Sequence, residues 1–154
     1  MSKIFVPQEY SQILSVQREA FTPFWTDEQG LAVQVLAGED LVRGNNVTPF
    51  QGGTSGAVYK TPTSGNNLNT PSAIVYADAY LGDLVWIVIA GLAYVLPVSS
   101  VTSTLGYYGY AGTSEAGRAE SSATAPATAS RAFCQFLATG SGAGVLTLAM
   151  LRMF

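Results

Sequence analysis

Ten carboxylates, seven basic residues, one cysteine and no histidine make up the reactive inventory of this 154-residue chain. Lacking histidine, it has no Ser-His-Asp or Cys-His route to catalysis and none of the commonest transition-metal ligand. Paired carboxylates are the remaining acid/base device, and Asp27-Glu28 and Glu39-Asp40 are adjacent in sequence. Neighbours on a strand point to opposite faces, so neither pair aims both groups at one bond. Turn and cap duty is the expectation for both pairs, and for Asp83 after Gly82, because a short acidic side chain accepts hydrogen bonds from turn amides. An enzyme built from what is left would need a Ser-Lys or carboxylate mechanism using Lys60 or Asp83.

The glycine-rich stretches offer equally little. GGTSGAVYK, residues 52–60, lacks the spacing of a phosphate loop, and no convincing helix follows it. GSGAG at 140–144 leads into a strand-like run and reads as a hairpin turn rather than a dinucleotide site. Asn46-Val47-Thr48 matches a glycosylation sequon, yet MSKIFVPQEY has neither the long apolar run nor the cleavage site of a secretory signal, so a cytoplasmic origin is expected. Cys134, in RAFCQFL, alternates with bulky apolar residues and reads as a buried small hydrophobe. No catalytic residue, cofactor or metal is therefore expected.

What remains is surface. Hydrophobic residues make up 48% of the chain and charged ones only 11%, against about 25% charged in an average soluble domain. A chain this poor in charge is expected to cover much of its surface with neighbouring subunits. The net charge of -3 and the scatter of Lys3, Arg18, Arg43, Lys60, Arg118, Arg131 and Arg152 argue against a nucleic-acid partner, which demands a basic face. In LGYYGYAG, Tyr107, Tyr108 and Tyr110 either cover a core edge or form a contact surface for protein or for a sugar ring. With Phe5, Tyr10, Phe24, Trp25 and Phe154, they are the candidate protein-interface residues.

The elements that must position these groups read as strands. Several short apolar runs at roughly ten-residue spacing, broken by Gly-rich turns, indicate an all-β (mostly β) fold, a small antiparallel barrel or sandwich with long loops. Leu31 to Leu36, Leu41 to Val47, the AVYK stretch, SAIVY, RAFCQFLAT and GVLTLAMLRMF are the strand candidates, and VPQEYSQILSVQREAF is a possible short helix. AESSATAPATAS, nearly all Ala, Ser and Thr, should be an exposed loop or extended strip. No fixed-period repeat is visible, although AGEDLV at 37–42 and LGDLVW at 81–86 suggest one local device used twice, a Gly-containing turn that feeds a strand.

One run tests this scheme. Leu84 to Val98 is fifteen uncharged residues, shorter than the roughly 20 of a membrane helix, and Gly91 and Pro97 weaken any helix. Its β-branched and aromatic residues favour strands over a buried helix or a span, so a hairpin is expected: Leu84 to Ile89 out, Ala90-Gly91 as the turn, Leu92 to Val98 back. No membrane partner is expected. Apolar side chains on both faces of Leu84 to Ile89 imply cover on both sides.

The order of the second half, G-D-L-V-W-I-V-I-A-G-L-A-Y-V-L-P-V, then G-Y-Y-G-Y, S-E-A-G-R-A, an Ala/Thr tract and A-F-C-Q-F-L-A-T-G-S-G-A-G-V-L-T-L-A-M-L, resembles the small capsid decoration (cement) proteins of tailed bacteriophages. The likeness covers about half the chain, residues 73–154, in motifs made mainly of Gly, Ala and Val. It implies a non-enzymatic virion protein on the outer capsid surface, present in the host cytoplasm during assembly. Its partners would be the major capsid protein and other copies of itself, a trimer before a dimer. The added N-terminal residues depart from the family pattern and would form an arm, residues 1–30, before a β domain of residues 31–154. The alternative reading is a receptor- or glycan-binding β domain of a phage fibre or adhesin that uses the tyrosine cluster.

Overall fold

The computed structural model describes residues 22–49, 56–63, 70–124 and 132–152. These form ten strands and, among the described residues, no helix. The strands are β1 (Phe24–Trp25), β2 (Gly30–Ala37), β3 (Asn46–Thr48), β4 (Ala57–Lys60), β5 (Ala73–Val75), β6 (Leu84–Val95), β7 (Tyr108–Ala111), β8 (Ala119–Ser122), β9 (Ala132–Phe136) and β10 (Thr147–Leu151). The all-β expectation holds. The possible helix at the N-terminus lies outside the described residues, and so does the second half of the Ala/Thr tract, whose first residues form β8.

The expected hairpin is corrected. Leu84–Val95 is one continuous twelve-residue strand. Its first part pairs with β2 and β5 and its second part with β10, so each end has its own partners and no reversal is needed. The break in composition is a bulge, not a turn: pairing with β2 steps from Ala90 to Val88 opposite Leu31 and Ala32, which leaves Ile89 unpaired there. Gly91 has φ 84, and a Cβ on it would lie 2.5 Å from the Gln29 carbonyl oxygen, so glycine permits the close approach of β2. Pro97 follows the strand and faces Ala119 in a parallel bridge. The bonds there are Val98 N–H to the Ala119 carbonyl and Ala119 N–H to the Leu96 carbonyl, so the N–H that proline lacks is not called on. The strand expected at Leu41 to Val47 is also shorter. A turn at Val42 to Asn45, closed by Asn45 N–H on the Val42 carbonyl and by Asn45 Oδ1 on Val42 N–H, leaves only Asn46–Thr48 extended.

Strands β2, β4, β3, β5 and β6 close a ring, since β6 returns to β2. From the other end of β6, strands β10, β9, β7 and β8 follow in order, and the Pro97–Ala119 bridge closes a second ring. The two rings have the same topology and the same registers. The parallel pair Ala37 with Val58 corresponds to Pro97 with Ala119. Val47 with Lys60 and Thr48 with Tyr59 correspond to Gly109 with Ser121 and Tyr110 with Glu120. Asn46 with Ile74 and Val47 with Ala73 become Tyr108 with Gln135 and Gly109 with Cys134. Ile74 with Val88 and Val75 with Ile87 become Gln135 with Met150 and Phe136 with Ala149. Val33 with Ile87 becomes Ala93 with Ala149.

Glycines with positive φ fall at equivalent places, Gly44 and Gly106, Gly56 and Gly117, Gly82 and Gly144. Turn bonds match as well: Gly44 N–H to Val75 and Gly106 N–H to Phe136, Ala79 N–H to Leu41 and Gly140 N–H to Ser103. The described chain is thus two copies of one five-stranded unit that share β6, which ends the first and begins the second. No fixed-period repeat is visible in the sequence, and AGEDLV and LGDLVW, alike as Gly-containing turns, do not mark this one. Those two segments are not equivalents. They touch each other, with Leu81 N–H on Asp40 Oδ1 and Gly82 N–H on the Ala37 carbonyl.

Each unit has its own interior. Leu41, Val47, Val58, Val75, Val85 and Ile87 fill the first. Ala93, Val95, Phe133, Phe136, Ala149 and Leu151 fill the second, and that cluster also takes in Ile74 and Val88 from the outer face of the first.

Candidate interaction surfaces

Of the acidic groups first singled out for chemistry, Asp83, Glu39 and Asp40 cap backbone, while Glu28 pairs with Arg43. Asp83 accepts from Tyr80 N–H at 3.1 Å, Asp78 from Arg43 N–H at 2.8 Å and Glu39 from Lys60 N–H at 2.8 Å. Glu120 accepts from both the N–H and the hydroxyl of Thr113. Glu115 does the same for Ser99, and this bonding, with Arg118 Nε at 3.1 Å, holds its carboxyl below the usual range. Among the described residues no three Asp, Glu or Cys side chains cluster as metal ligands would. Cys134 is buried against Gly109, and burial pushes its thiol pKa well up. Asn46 of the sequon is fully buried within β3.

The candidate aromatics scatter. Phe5, Tyr10 and Phe154 lie outside the described residues. Tyr107 packs against the second unit's interior, while Tyr108 and Tyr110 lie on β7, so the three do not share one face. The Tyr108 ring has the Arg152 guanidinium 5.9 Å from its centre. The Tyr110 hydroxyl is 3.5 Å from Glu120, and burial, then the Glu120 charge, raises its pKa. Trp25 is 67% exposed on β1. Its neighbour Phe24 is turned inward and meets Trp86 edge-on at 4.6 Å and Tyr76 at 6.0 Å.

Beside this group Arg43 lies 5.7 Å from the Tyr76 ring and 5.1 Å from that of Tyr94, and it pairs with Glu28 at 3.4 Å. It therefore ties the residue after β5 in the first unit to the part of β6 that belongs to the second. Sequence reasoning passed over Arg43, Tyr76 and Trp86, since nothing in their local spacing marks them as partners.

A second set of side chains was also passed over. On β9 and β10 the outward positions are Gln135, Leu148 and Met150, with Leu137 just past the end of β9 and Leu105 in the loop before β7. Leu105 is 61% exposed and Met150 47%, with Leu137 also open to solvent. Their equivalents in the first unit are Ile74, Tyr76, Trp86, Val88 and Arg43, of which Ile74 and Val88 are fully buried beneath the second unit. The open apolar row is of the kind that protein contact covers. Only the alignment of the two units could have marked it, because each residue alone is an ordinary strand hydrophobe.

The sequence matches no protein-family model and no curated protein. Among solved structures the chain is similar to the N base of head fiber gp8.5 of bacteriophage phi29, with a TM-score of 0.54 and 14% sequence identity. The likeness covers 79% of this chain and 92% of that one, and what the two share is the fold.

Proposed function

We propose that this chain is a structural protein of a phage virion that binds the outer surface of the head and bridges adjacent major capsid protein subunits. The observation that carries the reading is the likeness of fold to a head fiber base over 92% of that base. The motif order of residues 73–154, which resembles that of decoration proteins without matching a family model, points to the same setting. The low charge and the open apolar row fit a protein that works by being packed against others. Catalysis is not part of the reading, because histidine is absent and the carboxylates described above cap backbone amides. The mechanism is additive: separating two shell subunits would also expose buried cement surface, at about 25 cal/mol per Å² less ordering costs.

The same likeness favours a second reading, in which the chain is a base that carries a fibre without strengthening the shell. Purified protein added to empty expanded shells separates them. A cement raises the temperature at which the shells break and saturates at hundreds of copies per particle, whereas a fibre base saturates at few and leaves that temperature unchanged. Failure to bind any shell would sink both.

A further inference from the structure

The joint between the two units is built from one set of groups on each side, and an unused copy of each set remains on the molecule. On the first unit's side Gly44, Asn46 and Thr61 meet the second unit: Leu96 N–H bonds the Gly44 carbonyl at 2.9 Å, Asn46 N–H the Gly117 carbonyl at 2.8 Å, and Gly117 N–H the Thr61 carbonyl at 2.9 Å. Leu146 packs over Gly44, and Ile74 and Val88 complete the covered face. The repeat places Gly106, Tyr108, Ser122, Gln135 and Met150 where the second unit would accept another unit. It places Leu36, Gly56 and Leu84 where the first unit would reach into one.

Neither spare set is covered by another unit, and on the accepting side the contacts are local ones, Gln135 Nε2 on the Gly106 carbonyl at 2.9 Å and Arg152 at 5.9 Å from the Tyr108 ring. A Cβ built on Gly44 or Gly117 runs into the other unit, meeting Leu96 N at 2.8 Å in the one case and Lys60 Cγ at 2.8 Å in the other. A Cβ on Gly106 or Gly56 meets nothing within 4 Å. Met150 is exposed where Val88 is buried, and Leu84 is exposed. Leu36 N–H and the Gly56 carbonyl bond each other at 3.2 Å, whereas their equivalents Leu96 and Gly117 bond across the joint. Docking would exchange that long bond, and share or displace the one Gln135 Nε2 makes to the Gly106 carbonyl, for bonds across the contact like those of the internal joint.

We infer that a second copy of this chain docks head to tail, its first unit setting Leu36, Gly56 and Leu84 against Gly106, Tyr108 and Met150 of the second unit, in continuation of the internal joint. The contact is heterologous, so it propagates from copy to copy until a ring closes or a filament forms. The inference stands on the repeat and does not depend on the capsid reading.

The test uses two surface variants of the full chain, Leu84→Glu on one half of the contact and Met150→Glu on the other, with circular dichroism as the check that each folds. Wild type should sediment as an oligomer, and each variant alone as a monomer. Mixed in equal amounts the variants should form a dimer and nothing larger, because each retains the half the other lacks. A monomeric wild type, a variant that stays oligomeric, or a mixture that stays monomeric would overturn the contact. If residues 1–21 of the same chain cover one half instead, wild type is monomeric and deleting them releases oligomers, which also overturns it.

Discussion

The outer row of the first unit, Asn46, Ile74, Val88 and Ala32, is buried, while the matching row of the second, Tyr108, Gln135, Met150 and Leu92, is partly or largely open. Backbone pairing is the same in both. Side-chain chemistry has followed the environment instead of the fold: apart from Asn46, small and β-branched residues where a neighbour presses down, larger or polar ones where none does. A strand register fixes which face a residue occupies, and the partner on that face then decides which residue is tolerated.

The sharpest way to break this comparison is to truncate one side chain in each row. Ile74→Ala removes methylenes from a fully buried site and should lower unfolding stability by about 2–5 kcal/mol. Gln135→Ala, at the matching position, should stay within about 0.5 kcal/mol. Urea unfolding in the Leu84→Glu background, where association does not contribute, measures both. Equal losses would mean that the second unit does not cover the first.

A smaller contrast comes from Gly44 and Gly106. Both hold positive φ, so alanine at either forces a left-handed conformation, at about 1–2 kcal/mol. At Gly44 the new methyl must also displace the Leu96 backbone and the Leu146 side chain, whereas at Gly106 it meets open space. Gly44→Ala should therefore lower the urea midpoint further than Gly106→Ala. Matching midpoints would place the joint elsewhere.

Strand content was legible in the sequence because it depends on local apolar runs and turn residues. Gly30–Ala37, Ala57–Lys60 and Ala132–Phe136 fall on runs read as strands. The repeat was not legible, because aligned positions retain few identities, among them Leu36 and Leu96, Gly56 and Gly117, Leu84 and Leu146. Register, not residue type, carries it. The hairpin misreading has the same root: Gly91 and Ala90 look like a turn to any local rule, and only the approach of Gln29 explains the glycine as a contact. The site residues fared likewise, since tyrosines draw attention by type, whereas Leu105 and Met150 stand out only beside Arg43 and Val88.

Within the interiors, volume is shuffled between equivalent positions. Val47 facing Ala73 in the first unit becomes Gly109 facing Cys134 in the second, with the Cys134 sulfur occupying the space a Gly109 side chain would take. Gly109→Ala should be strongly destabilising alone and much less so combined with Cys134→Ala, which restores the first unit's arrangement in miniature. A double-mutant cycle should show a favourable coupling of about 0.5–3 kcal/mol. Additive losses would show that the two positions do not share space. In the wild type, burial also keeps the Cys134 thiol protonated, so an added thiol reagent should label it no faster than the chain opens.

The weakest expected effect concerns the loop that brings Gly117 into the joint. Glu115 anchors it by accepting from Ser99 and pairing with Arg118, whose NH1 group also bonds the Pro97 carbonyl at 3.1 Å. The bond from Ser99, then the Arg118 charge, lowers the Glu115 pKa below its ordinary value of 4.5. A depressed carboxylate contributes stability that is present above that value and lost as pH falls through the folded-state pKa. Acidifying below 4.5 should loosen this anchor, and Glu115→Gln should remove that part of the pH dependence while leaving neutral-pH folding nearly intact. Amide exchange at Gly117, whose N–H is held by Thr61 across the joint, reports the loosening directly. If protection there is unchanged between neutral and acid pH in the folded protein, the loop is held by the joint itself and the Glu115 contacts merely accompany it.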